Sequence, residues 1–258
     1  MIEGNSAGGI RLRAIPPNAI TALALCFGLT GVRFAMSAAQ GNPRDWGWAI
    51  GCVVFAGVLD GIDGRLARLL KANSRFGAEL DSLADNIAFG VAPALILFIW
   101  SLQYAPRFGW IAALALAVAC ALRLARFNSQ IDADEQPHKS AGFLTGVPAP
   151  AAAGLSFVPV YLWLVTGNDL FQQWQLVLPW AIFIALLMIS NIATFSWGSL
   201  RLRRSWRLMA LAAVGLLGAA LVTQPWLTLL AVSFLYVLLI PFSMAAYGRV
   251  RLRRTAKA

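Results

Sequence analysis

Long apolar stretches recur along the whole chain, and no other feature constrains its fold so strongly. They run near Ala19–Ala39, Trp46–Leu70, Ser82–Leu102, Gly109–Phe127, Val147–Val165, Gln175–Phe195, Leu208–Val222 and Trp226–Ala246. Most approach the ~20 residues that an α-helix needs to cross a hydrocarbon core. The seventh is short. Composition supports the same class: 59% of the 258 residues are apolar and only 12% are charged. A net charge of +10 would suit a nucleic-acid binder if it lay on a solvated surface, but this chain has little such surface. Disordered and collagen-like classes are excluded as well. The expectation is an all-α, polytopic membrane bundle of about eight transmembrane helices.

The basic residues then orient the bundle. Cytoplasmic loops are enriched in Lys and Arg. With the N-terminus inside, the inside segments hold Arg11 and Arg13, then Arg65, Arg68, Lys71 and Arg75, then Arg123, Arg126 and Lys139. Arg201, Arg203, Arg204 and Arg207 follow, and finally Arg249, Arg251, Arg253, Arg254 and Lys257. That makes 18 of the 21 basic residues. Only Arg44 and Arg107 fall outside, and Arg33 lies late in the first span, where it is expected to snorkel to the outer interface. Both termini are thus expected on the cytoplasmic side, which requires an even number of spans and retains the seventh. The inside surplus also suits anionic lipid heads.

The N-terminal segment Met1–Pro17 lacks the apolar core of a cleavable signal, and Pro16-Pro17 is expected to stop any helix there. Cys26, Cys52 and Cys120 fall inside spans at no repeating interval and read as small packing residues. Asn128–Gly146 reads as a cytoplasmic loop in which His138 is solvated.

The scarce acids carry the chemistry. Half of the eight aspartates, Asp60, Asp63, Asp81 and Asp85, fall within 26 residues. Ionisable groups at membrane depth are expensive and mark functional sites by default. Asp60 and Asp63 share one face at the end of the second span, and Asp81 and Asp85 share one face at the start of the third. A short connection lets the two faces meet. Four carboxylates there repel unless cations neutralise them, and all-oxygen ligands suit Mg²⁺ or Mn²⁺. Two metals fit displacement at phosphorus. Gly64 and Ala67 continue the Asp60–Asp63 face and leave room for a ligand, Arg68 can clamp a phosphate, and Gly77 permits close approach one turn before Asp81. The structural alternative is a buried acid–base network with Arg65, Arg68 and Arg75.

The string Asp60-x2-Asp63-Gly64-x2-Ala67-Arg68-x8-Gly77-x3-Asp81-x3-Asp85 resembles the signature of the CDP-alcohol phosphatidyltransferases at all eight fixed positions. The resemblance implies that Asp60, Asp63 and Asp81 bind metal, and that Asp85 both binds metal and acts as general base. It implies that Gly64, Arg68 and Ser74 contact the CDP part of a CDP-lipid, and that the enzyme is a homodimer. Pro17-Asn18-Ala19-Ile20-Thr21 is similar to the family's opening nucleotide contact, through Asn18 and Thr21, although Asn18 also suits a helix N-cap. Leu80–Asp85, Phe89–Ala94, Ala121–Asn128 and Gly146–Ala152 resemble the bacterial members that use serine, with Ala88 standing where those usually have Ser. The resemblance therefore implies CDP-diacylglycerol and L-serine as substrates and an inner-membrane enzyme working at the cytoplasmic face. One integral membrane catalytic domain would span residues 1–258, with its core at about 18–195 and two extra spans within 208–246.

A serine carboxylate needs a match, and Arg123, Arg126 and Asn128 lie at the cytoplasmic end of the fourth span. The same arginines could simply anchor that helix at the interface. Sister enzymes using glycerol 3-phosphate, inositol phosphate or choline remain open, as does a cation transporter built on the same acids.

Overall fold

A computed structural model describes residues 15–71, 74–129, 143–195 and 207–255. Its helices are α1 (Ile15–Ala39), α2 (Asp45–Leu69), α3 (Arg75–Asp85), α4 (Ala92–Trp100), α5 (Gly109–Ser129), α6 (Ala149–Ser156), α7 (Val158–Thr166), α8 (Trp174–Ile189), α9 (Arg207–Thr223) and α10 (Pro225–Thr255). A π-helical segment, Asn86–Val91, joins α3 to α4 in one rod. With α6 and α7 also forming one rod, the architecture is helical with about eight rods. Five of them are long and apolar enough to cross a membrane. Of the others, α2 carries Asp60, Asp63, Arg65 and Arg68 toward its C-terminal end, and α8 and α9 are shorter apolar helices. This is a multi-pass membrane protein.

Several boundaries differ from the sequence reading, each for a local reason. Pro16 and Pro17 do not stop α1, which starts at Ile15. In a first helical turn the missing N–H of proline has no partner to lose. Asn18 consequently sits inside α1 and caps nothing. The third span begins at Arg75, not Ser82, because Ser74 caps α3 by accepting a hydrogen bond from the Gly77 N–H at 3.0 Å. The fifth span breaks at Phe157. Pro159 has no N–H for the Leu155 carbonyl, which accepts instead from Trp180 Nε1 at 2.9 Å. The sixth span stops at Ile189, and Ala193–Phe195 forms a short strand, β2, antiparallel to β1 (Phe143–Thr145). Among the described residues this pair is the one addition to the all-α expectation. The last helix extends to Thr255 rather than Ala246. The expected loop Asn128–Gly146 keeps its first two residues in α5 and ends in β1; His138 and Lys139 lie outside the described residues, as do Arg11, Arg13, Arg201, Arg203, Arg204 and Lys257.

Close packing depends on small residues, as expected where lipid offers no hydrophobic drive between helices. The buried face of α1 reads Thr21, Ala24, Gly28, Gly31, Ala35 and Ala38. A Cβ at Gly31 would stand 2.7 Å from the Ala49 carbonyl oxygen of α2, and one at Gly28 would stand 2.8 Å from Ala88 Cα in the π segment. On the opposite side of that segment, a Cβ at Gly90 would meet Cys120 Cβ of α5 at 2.8 Å. The π segment is therefore gripped between α1 and α5. Its i→i−5 bond from Ala92 N–H to the Ile87 carbonyl comes directly before Pro93, which cannot extend an ordinary ladder. Arg33 sits on an exposed face of α1, with its guanidinium 5.9 Å from the Phe34 ring centroid.

Candidate active site

The site is assembled where the end of α2 meets α3. Asp60 and Asp63 lie one turn apart on α2, and Asp81 and Asp85 lie one turn apart on α3. Carboxylate oxygens of Asp60, Asp63 and Asp81 come within 4.8 Å of one another. Asp85 lies beside Asp60, within hydrogen-bonding reach, and faces Asp63 and Asp81 as well. Asp63 is the most enclosed of the four, at 4% exposed. Like charges this close are tolerated when cations sit among them, and an all-carboxylate donor set fits a hard divalent ion. The family is generally dependent on divalent cations, and this group of oxygens could hold one.

Around these acids the structure sorts the other candidates. The Thr21 hydroxyl donates to Asp63 Oδ2 at 2.6 Å and also lies 3.1 Å from the Pro17 carbonyl oxygen. Thr21 thus holds a carboxylate of the acidic group, a contact between residues 42 positions apart that no local motif announces. Asn18, Ser74 and Gly77 come together: a Cβ at Gly77 would stand 3.0 Å from Asn18 Oδ1 and 3.1 Å from Ser74 Oγ. Gly64 faces open space, and Ala67 is half-buried on the same helix. Arg68 is exposed in the last turn of α2. A Cβ at Gly64 would meet nothing within 4 Å, and Arg68 follows one turn on along the same helix.

The three candidates on α5 separate. Arg126 is committed to structure, donating through Nη1 to the Ile189 carbonyl at 3.0 Å and to Asn191 Oδ1 at 2.8 Å. It ties the end of α5 to the end of α8. Asn128 Nδ2 donates to Ser82 Oγ at 2.9 Å and ties α5 to α3 beside Asp81. Arg123 alone points inward: its Nε is buried without a hydrogen-bond partner, and its charge bears on Asp85, Cys120 and Tyr236.

Two features escaped the sequence reading. Tyr236 of α10 approaches Arg123, so the last helix, in which the sequence reading found no usable motif, reaches the edge of the site. The signal that could have found it is a phenolic hydroxyl at the middle of an apolar span. Beside it lies a cavity of about 200 Å³ with an almost wholly apolar wall, lined by Val53 and Gly57 of α2, Phe89, Phe157, Tyr161 and Tyr236 among others.

Residues 14–189 match the CDP-alcohol phosphatidyltransferase family, and residues 205–241 match the family described as CDP-alcohol phosphatidyltransferase 2. The chain belongs to the CDP-alcohol phosphatidyltransferases. Within that class it is similar to proteins named CDP-diacylglycerol–serine O-phosphatidyltransferase from several species. The one from Mycobacterium leprae is 36% identical over 230 residues, covering 89% of this chain and 74% of the relative. The one from Mycobacterium tuberculosis is 35% identical over 236 residues, covering 92% and 80%. The one from Helicobacter pylori is 36% identical over 182 residues, covering 68% and 70%.

Proposed function

We propose that the chain transfers the phosphatidyl group of CDP-diacylglycerol to the hydroxyl of L-serine and releases CMP. The observation that carries the reading is the convergence of Asp60, Asp63, Asp81 and Asp85 from two helices onto one spot. The relatives named for this reaction support it. Two divalent cations, Mg²⁺ or Mn²⁺, held by those four residues would neutralise the pyrophosphate of the lipid nucleotide and polarise the phosphorus.

The chain's own groups do the rest. Asp85 removes the proton from the serine hydroxyl, and the serine oxygen forms a bond to the lipid-linked phosphorus. The bond from that phosphorus to the bridging oxygen breaks, and the electron pair leaves with CMP. Arg68, beside the open face of Gly64, steadies the departing phosphate. Asn18, Ser74 and Gly77 line the nucleotide side with Ala67, and Thr21 acts through Asp63. A carboxylate beside cations is a weak base, so its power comes from position. Arg123 binds the serine carboxylate. The apolar cavity beside the site suits the start of an acyl chain.

In this reading residues 1–258 form one catalytic unit with its core at about 18–195, and α9 and α10 are additions to it. The enzyme lies in the inner membrane as a homodimer, with both termini and the acidic site on the cytoplasmic side. The distribution of Lys and Arg supports that orientation.

Membranes bearing the chain, supplied with CDP-diacylglycerol, Mn²⁺ or Mg²⁺ and one alcohol at a time, test the reading through CMP release. Serine should give CMP. Release with glycerol 3-phosphate, inositol phosphate or choline in place of serine would assign a sister reaction, and no release with any alcohol would overturn the enzyme reading.

A further inference from the structure

Among the described residues four buried polar side-chain atoms lack a hydrogen-bond partner, and two of them belong to Asn86, directly after Asp85, and to Arg123 on α5. Asn86 Oδ1 and Arg123 Nε are both shut off from solvent, and neither has a hydrogen-bond partner. Such atoms are rare in folded proteins and ask for an explanation. They flank the same contact. A Cβ at Gly90 would stand 3.2 Å from Asn86 Oδ1 and 2.8 Å from Cys120 Cβ, so the bare backbone of Gly90 keeps the amide oxygen clear. Cys120 lies one turn before Arg123 on α5, and the charge of Arg123 bears on both Cys120 and Asp85. An acceptor, a cation and the proposed base are thus gathered around the contact between α5 and the π segment. The π segment, which begins at Asn86, is the element that sets the acceptor there.

We infer that Asn86 and Arg123 form a recognition site for the two charges of a zwitterionic amino acid. Asn86 Oδ1 accepts a hydrogen bond from the ammonium group, and the Arg123 guanidinium pairs with the carboxylate. The hydroxyl is left to Asp85. The inference rests on the serine reading above and deepens it. Glycerol 3-phosphate and inositol phosphate bring no ammonium group to Asn86, and choline brings no carboxylate to Arg123. A site whose buried polar groups need a partner rejects an alcohol that lacks one.

The test compares L-serine with two probes that each lack one charge: 3-hydroxypropionate, without the ammonium, and ethanolamine, without the carboxylate. CMP release is measured in membranes holding the full chain at saturating CDP-diacylglycerol. In the wild type each probe should fall about 10-fold or more below serine in kcat/KM, the scale of a lost hydrogen bond to a charged group. Asn86→Leu should raise the serine KM about 10-fold, leave the KM for CDP-diacylglycerol alone and close the gap between serine and 3-hydroxypropionate only. Arg123→Gln should close the gap between serine and ethanolamine only. An unchanged serine KM in Asn86→Leu, or an equal loss for all three alcohols, would overturn the site. If Asn86→Leu is inactive throughout, the wild type decides: 3-hydroxypropionate used as well as serine overturns the site, and a 10-fold deficit upholds it. Absence of CMP from serine in the wild type would remove the serine reading and this site together, whereas serine turnover without the expected discrimination would remove this site alone.

Discussion

The α2–α3 hairpin and the α9–α10 hairpin are built on opposite plans. The first turns four carboxylates toward one another and encloses Asp63 almost completely. The second turns its apolar side chains outward: Leu208 is 81% exposed, Leu211 74% and Val222 85%. In water the second would be the anomaly. In lipid an outward leucine rests in a solvent as apolar as itself, and the inward acids are the anomaly that requires compensation. What informs about function in a membrane chain is therefore the polar outlier, and exposed apolar surface says little by itself.

That contrast predicts a steep gradient in mutational effect. Asp85→Asn should have the largest effect, a loss of turnover of about 1,000-fold or more with CDP-lipid binding largely retained. Single-turnover CMP release and nucleotide-lipid binding measured side by side would check it. Substantial residual turnover would argue against Asp85 as base. Thr21→Val should raise the divalent-cation concentration for half-maximal activity by about 10-fold, since it removes the hydroxyl that orients Asp63, and Thr21→Ser should restore it. A cation titration that is unmoved by Thr21→Val would break the assignment.

Smaller effects belong to packing. Gly28→Ala must push α1 off the π segment, where the new Cβ would stand 2.8 Å from Ala88 Cα, and should cost about 1–3 kcal/mol, read as a lower Tm in detergent. Arg126→Gln loses the tie to Ile189 and Asn191 and should cost about 1 kcal/mol, while moving the serine KM far less than Arg123→Gln does. At the bottom of the scale, Leu211→Ala on α9 should change stability by less than about 0.5 kcal/mol. A loss there as large as at Gly28 would mean that α9 is covered by something, and would break the contrast between the two hairpins.

The apolar stretches made the rods legible because a helix that crosses lipid has to be apolar over a defined length. The acidic constellation was legible because intervals of three and four residues fix a helix face. The start of α3 was not, since Arg75, Gly77 and Glu79 break up the apolar pattern there and the Ser74 cap is what marks it as helical. The strand pair joins residues about 50 apart, Phe143 with Phe195 at one end, and so short a pairing has no periodicity to detect. Nor does interval separate Arg123 from Arg126. Both lie on the same side of α5, and which one meets Asp85 depends on whether α8 ends near enough to capture the other. The π segment is hidden because one widened turn hardly alters an apolar pattern.

That widened turn also limits how the chain can change its length. A π segment accommodates one more residue than an α-helix of equal rise. Losing a residue between Asn86 and Val91 would let the rod heal into an ordinary helix, so a deletion there could leave a well-formed span. The healed helix would keep Asp81 and Asp85 in line with α4, but it would change which residues of the segment face α1 and α5, where Ala88 now meets Gly28 and Gly90 meets Cys120. The lesion would spare the span and strike the contacts of Asn86, Ala88 and Gly90, so a deletion at this point should be less tolerated in a working enzyme than its mild effect on the helix suggests.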